Sequence, residues 1–139
     1  AVVAVPNGHR LARMDRVLVP DLVDETLIVP ERRARPHSHD LTTRLFADLG
    51  LAAKVIQLAD EKQTIVNLVA AGMGIAIVPR WTSKIAVGGV TYIPLITQGG
   101  DSLKSLPLAL IWASGSRDPA RDIMIGLLQQ HIAAYGTDG

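Results

Sequence analysis

The feature that most constrains this chain is a hydrophobic period that switches four times between strand and helix spacing from residue 26 to residue 78. Thr26-Leu27-Ile28-Val29 is a short apolar run stopped by Pro30, the pattern of a strand buried on both faces. A helical stripe follows: Leu41, Leu45, Phe46 and Leu49 share one face, Ser38 or Asp40 stands near its start as a cap, and Gly50 stops it. Lys54-Val55-Ile56-Gln57-Leu58 alternates like a half-buried strand. Asp60 with Gln63 three residues on makes a capping-box start for a second helix carrying Ile65, Leu68 and Val69, ended by Gly72-Met73-Gly74. Ile75-Ala76-Ile77-Val78 is again fully apolar and is closed by Pro79. The order β-α-β-α-β, with short connections and right-handed crossovers, predicts three parallel strands in an open α/β sheet.

The flanks add elements of the same kind. Ala1-Val2-Val3-Ala4-Val5 is strand-like, with no methionine and no polar lead-in, the pattern expected of a chain whose upstream part is missing. Pro6-Asn7-Gly8 is a turn, and Pro20-Asp21-Leu22-Val23-Asp24 suits a short helical turn. Residues 90–95 read as a strand, 96–105 as a loop with Gly99-Gly100, and 106–113 as a further strand. Asp118-Pro119 caps a last helix with Ile123, Leu127, Leu128 and Ile132 inward and Gly136 as its stop. A chain of 139 residues is one domain or a piece of one.

Composition removes several classes of function. With no cysteine there is no disulfide, thiolate zinc site or cysteine nucleophile. Fourteen Lys and Arg against 13 Asp and Glu leave a net charge of +1, which makes no field for a polyanion. No apolar run approaches a membrane span. A cytoplasmic binding module or enzyme is the simplest class that remains.

Three clusters could carry chemistry. His37-Ser38-His39-Asp40 has a His-x-His pair beside a carboxylate, but no further ligand nearby in sequence and no nucleophile elbow around Ser38. A helix start explains the same residues. Glu31-Arg32-Arg33-Ala34-Arg35 places three guanidinium groups just beyond a parallel strand, where open α/β sheets bind ligands. It reads as an anion site or as a solvated loop pairing its arginines with Glu31. Gly72-Met73-Gly74 follows a helix and precedes a strand, the reverse of a phosphate cradle, and is a helix stop. Trp81 and Trp112 are isolated rings suited to a core or an interface rather than to stacking bases.

Leu68-Val69-Ala70-Ala71-Gly72-Met73-Gly74-Ile75-Ala76-Ile77-Val78-Pro79 resembles the signature stretch of LysR-type transcriptional regulators, in their effector-binding domain. Pro6-Asn7-Gly8-His9-Arg10-Leu11 is similar to the family's P-x-x-H-P-L segment, with Arg10 where that pattern has proline. Asp21-Leu22-Val23-Asp24-Glu25 resembles its D-L-x-D-E element, and Asp60-Glu61-Lys62-Gln63-Thr64 the polar start of the next helix. The resemblance implies a periplasmic-binding-protein-like (type 2) α/β fold of two lobes joined by crossing strands, with a small effector in the cleft. Residues 1–5 would be one crossing strand, about 7–104 the second lobe, 106–113 the return strand and 118–135 a helix of the first lobe. The family's winged helix-turn-helix, linker helix and the start of the first lobe would lie upstream of Ala1, so DNA would be read only by an element absent from this chain.

On this reading the chain senses an effector and is not an enzyme. Effector contacts are expected from Pro30, Glu31, Arg32 and Arg33 after the first strand, and from Glu61, Gln63 and Thr64 at a helix start. Free backbone amides and the helix dipole there favour an anion, a small carboxylate. No metal or cofactor is expected. By the family's strand order the strand at 54–58 is an edge, and a homo-oligomer contact is expected through Leu41, Arg44, Leu45, Asp48, Lys54, Val55, Ile56 and Gln57. Two other classes share the architecture: a periplasmic solute-binding protein, and a small α/β enzyme relying on His37, His39 and Asp40.

Overall fold

The computed structural model describes residues 1–84, 87–96, 111–112, 115 and 118–136, with side chains as far as residue 131. It contains two compact units, Ala1–Pro107 and Leu108–Gly139. The first unit holds strands β1 (Val2–Pro6), β2 (Val17–Leu18), β3 (Thr26–Pro30), β4 (Lys54–Ala59), β5 (Ala76–Val78) and β6 (Val90–Ile96), with helices α1 (Pro36–Ala47) and α2 (Lys62–Ala70). The second holds α3 (Pro119–Gly136).

In the first unit β4 pairs with β3 in parallel, and β1 is central to a second ladder ordered β2-β6-β1-β5. The two ladders join at one parallel bridge, Leu27 to Ile75. There the Ile28 N–H donates to the Ile75 carbonyl (2.8 Å) and the Ile75 N–H to that of Thr26 (2.9 Å). The expected β-α-β-α-β unit is present with its strands in the order β4-β3-β5. It is not a pure parallel sheet, because β5 touches β3 only at that bridge and runs antiparallel along β1, which also pairs antiparallel with β6.

The continuous apolar runs are explained by burial on both sides. Successive side chains of a strand point to opposite faces. Val3, Val5, Leu27, Val29, Ile75 and Ile77 accordingly fall in one core with Phe46 of α1, while Val2, Ala4, Ile28, Ala76 and Val78 fall in another with Ile65 and Val69 of α2. Helix α1 packs on β3, and α2 on β1 and β3.

Both helices end as their glycines require. Gly72 has φ +76, its N–H donates to the Val69 carbonyl and the Met73 N–H to that of Leu68, the paired bonds of a Schellman cap. Gly50, at φ +68, closes α1 in the same way, with its N–H bonded to Ala47 and that of Leu51 to Phe46.

The helix starts differ from expectation. Helix α1 begins at Pro36 with Arg35 as N-cap and no capping side chain, since proline presets φ for the first helical residue. Neither Ser38 nor Asp40 is the cap. Helix α2 begins after Glu61, which is still extended, so Asp60 and Gln63 form no capping box; Gln63 bonds Asn67 instead. The buried line of α1 is Thr42 and Phe46, with Leu41 and Leu45 half-buried and Leu49 exposed.

Strand β4 is not half-buried. Lys54 to Leu58 are exposed on both faces, because the helices lie over the strands inside it. The pairing also slips beside Ile56: Leu27 faces Val55 and Ile28 faces Gln57, a bulge of the kind common on edge strands. In the second unit the Asp118 carboxylate accepts the Arg121 N–H (3.1 Å), the expected cap. Ile123, Leu127 and Leu128 are exposed rather than inward, and the side chain of Ile132 lies outside the described residues. So do Gly99-Gly100 and the expected strand 106–113, apart from Ile111 and Trp112. Trp81 and Trp112 are exposed, not core.

Candidate functional site: a pocket at two strand ends

Strands β3 and β5 end side by side at Pro30 and at Val78-Pro79, and a small pocket opens there. Ser38, Leu41 and Thr42 of α1 form one wall, Lys62 and Ile65 of α2 the other, with Ile77 completing the lining. Its free volume of about 10 Å³ admits one water-sized atom group. Each helix follows its strand after a short loop, so both first turns reach this end of the sheet. Their first amides have no intrahelical acceptor, and neither helix has a capping side chain.

The polar groups of the pocket are few. Thr42 is buried and its hydroxyl donates to the Ser38 carbonyl (3.2 Å). The Lys62 ammonium stands 5.2 Å from the centre of the Trp81 ring, within cation–π range. Its pKa is held below the usual lysine value, first by partial burial and then by the positive charge of Arg35, against an opposing pull from Glu61.

The structure places the expected effector residues as follows. Pro30 lines the pocket, and its carbonyl accepts from His39 Nδ1 (2.9 Å). The Glu31 carboxylate accepts the N–H groups of Arg33 (2.7 Å) and Ala34 (3.3 Å), shaping its own turn rather than pairing with the arginines. Arg32 pairs with Asp40 (3.0 Å) and Arg35 with Glu61 (3.1 Å), the latter tying the entrance of α1 to that of α2. Arg33, Glu61, Gln63 and Thr64 are exposed and do not line the pocket. Ser38, Lys62 and Pro79 were missed as lining residues. The strand-end rule that selected Pro30 applies equally to the strand closed by Pro79 and could have found that side.

Of the expected contact surface, Lys54, Val55, Ile56 and Gln57 lie exposed along β4, Arg44 and Asp48 are exposed on α1, and Leu41 and Leu45 are half-buried. Of the histidine cluster, His39 Nδ1 is bonded to the Pro30 carbonyl (2.9 Å) and Asp40 is paired with Arg32, and among the described residues no group of three or more His, Cys, Asp or Glu could hold a metal.

Two of the motif segments meet in space. The Leu11 N–H donates to His9 Nδ1 (3.3 Å), so His9 Nε2 carries the proton it gives to Glu25 (3.1 Å). Arg10 binds the other Glu25 oxygen (2.8 Å) and the Asp21 carbonyl (2.9 Å). Arginine therefore has a structural role at the position where the family pattern has proline.

The β-α units, antiparallel central strand and pocket at the strand ends define an α/β effector-binding domain of the periplasmic-binding-protein type 2 class. The LysR substrate binding domain matches residues 1–133. The chain belongs to that family, whose role is transcription regulation. It is 59% identical over 134 residues to the HTH-type transcriptional regulator TtuA of Agrobacterium vitis, covering 96% of this chain and 44% of TtuA. Among solved structures, the BenM effector binding domain with its effector benzoate matches with a TM-score of 0.63 and 34% identity, over 68% of this chain and 44% of that one; BenM is a regulator of Acinetobacter baylyi. The Synechocystis CcmR regulatory domain in complex with 2-PG shares the fold at 18% identity, with a TM-score of 0.66 over 91% of this chain and 60% of that one. The chain spans less than half the length of the curated relatives named here. Among the described residues no helix is long and apolar enough to cross a membrane.

Proposed function

We propose that this chain is the effector-sensing and oligomerisation region of a cytoplasmic LysR-type DNA-binding regulator, and that it holds a small carboxylate and catalyses no reaction. The observation that carries this reading is the pocket where β3 and β5 end against the uncapped first turns of α1 and α2. Helix starts favour negative charge, and Arg32, Arg33 and Arg35 lie in the short loop between β3 and α1, with Lys62 at the start of α2. BenM, whose solved domain holds benzoate, supports an anionic ligand. DNA is reached through a winged helix-turn-helix elsewhere in the whole regulator. Residues 1–5 and 106–113 cross between two lobes, with about 7–104 in the second lobe and 118–135 in the first. Glu31, Glu61, Gln63 and Thr64 shape or border the site, whose ligand enters past Arg32 and Arg33.

Arg32→Ala and Arg33→Ala are expected to weaken the effector response of the full-length regulator in a transcription reporter. Folding should change by no more than about 0.5 kcal/mol, as for exposed side chains elsewhere. A wild-type response from both variants would reduce these arginines to a solvated loop.

Association uses the exposed edge of β4, with Val55 (39% exposed) and Ile56 (47%) as its apolar part. A sheet edge left open with apolar side chains needs cover, and a twofold contact between copies supplies it. Leu41, Arg44, Leu45 and Asp48 border the same contact. Ile56→Asp should shift the sedimentation coefficient toward monomer without lowering the urea midpoint. An unchanged mass for both Ile56→Asp and Val55→Asp would place the contact elsewhere.

A further inference from the structure

We propose that Asn7-Gly8 is a self-modification site. The Gly8 backbone nitrogen attacks the Asn7 side-chain amide, ammonia leaves, and water opens the resulting five-membered imide to aspartate or isoaspartate at position 7. The Thr91 hydroxyl activates the amide for that attack.

Glycine after asparagine supplies a nitrogen that no side chain shields, and closure onto Asn7 Cγ makes an unstrained five-membered ring. In the structure both residues are exposed. They are the middle of a tight turn in which the His9 N–H donates to the Pro6 carbonyl (2.9 Å) and neither central residue has a positive φ, as in a type I turn. Beyond its chain neighbours, nothing stands within 4 Å of where a Gly8 Cβ would be, so water reaches the turn freely. Among the described residues the Gly8 N–H makes no hydrogen bond and the Asn7 side-chain NH2 donates to no acceptor, which leaves nucleophile and leaving group both unheld. The amide oxygen, by contrast, is fixed: Asn7 Oδ1 accepts from Thr91 Oγ1 (2.9 Å). Thr91 sits opposite Val5 in the β1–β6 ladder, and the Asn7 N–H donates to the Gly89 carbonyl (3.0 Å). A donor on that oxygen draws electrons from Cγ and stabilises the negative charge that develops as nitrogen adds. Asn67, the chain's other asparagine, lies inside α2, where the next N–H is committed to the helix.

The chemistry balances without a redox partner. Gly8 N gives its proton to water and bonds to Asn7 Cγ, and the adduct expels the former amide nitrogen, protonated, as ammonia. Water adding to Cγ breaks the new N–C bond and leaves aspartate. Water adding to the Asn7 backbone carbonyl breaks the original peptide bond and leaves isoaspartate, with the chain now running through the side chain. Either product adds one negative charge. Isoaspartate also inserts a methylene between Pro6 and His9, which displaces the His9 N–H from the Pro6 carbonyl and His9 Nε2 from Glu25.

The test incubates the purified chain at neutral and mildly alkaline pH, native and in urea, and follows residues 7 and 67 by peptide-mapping mass spectrometry with isoaspartate resolved chromatographically. Native protein should convert at Asn7 and keep Asn67. Asn7→Gln, whose ring would need a sixth member, should abolish conversion, and Gly8→Ala, for which the turn has room, should slow it severalfold. Thr91→Val should slow the native reaction about three- to tenfold, the rate equivalent of one hydrogen bond, and leave the rate in urea unchanged. A native chain that keeps Asn7 while its unfolded form converts would overturn the site, because the fold would then protect the turn. Equal native rates for wild type and Thr91→Val would overturn the role given to Thr91.

Discussion

Alanine at position 74 is expected to cost about 2–4 kcal/mol, from overpacking and a weakened ladder bond, less a small gain from a stiffer unfolded chain. Gly74 is buried, and a Cβ there would stand 2.7 Å from the carbonyl oxygen of Thr26, 3.3 Å from its Oγ1 and 3.4 Å from Ile28 Cγ1. The obstruction is backbone, so no side-chain rotation relieves it. The same Thr26 carbonyl accepts the Ile75 N–H at the bridge that joins the two ladders. Relief of the clash must therefore loosen the junction between β3 and β5, at the end of these strands opposite the pocket. Urea unfolding should show a lower midpoint at unchanged slope. Gly72→Ala is the informative control: open space surrounds its Cβ, so its penalty comes from the positive φ alone and leaves the junction intact. A Gly74→Ala protein as stable as wild type would show that β3 and β5 can separate freely.

The largest loss is expected from Phe46→Ala, about 3–5 kcal/mol. Phe46 is fully buried and heads the set of largest enclosed side chains. It is also the main anchor of α1 to the core that contains Leu22, Leu27 and Val29. A ring removed there leaves a cavity between α1 and β3 that the packed core cannot close. With domain stabilities commonly about 5–15 kcal/mol, much of the folded margin would go. Because α1 also carries Ser38 and Thr42 to the pocket, ligand affinity should fall even under conditions where the variant remains folded. Phe46→Leu, which keeps most of the volume, should recover more than half of the lost stability in the same urea measurement. Equal losses for Ala and Leu would mean that α1 is held by its ends rather than by this ring.

The division between what was legible in the chain and what was not follows the range of the forces involved. Local geometry wrote the strands at 26–30 and 76–78, the glycine stops at Gly50 and Gly72, the Asp118 cap and the position of β4 beside β3, since periodicity, positive φ and short connections depend on near neighbours. The motif segments around His9 and Glu25 were equally visible, but only the folded chain joins them through one half-buried carboxylate.

Tertiary structure decided where each helix begins. Pro36 and the extended Glu61 take the starting positions that the Ser, Asp and Gln capping signals suggested for their neighbours. It also decided that the alternation in Lys54-Val55-Ile56-Gln57-Leu58 would bury neither face, because the helices cover the inner strands and stop short of the edge. The arginines were legible as a charge run, but their partners were not, because Asp40 and Glu61 are brought to them by helix packing. The lining of the pocket lay furthest beyond sequence reading. Ser38 on α1, Lys62 on α2 and Pro79 just after β5 converge only when β3 and β5 are joined at Leu27 and Ile75, a contact between residues far apart in the chain that no local preference encodes.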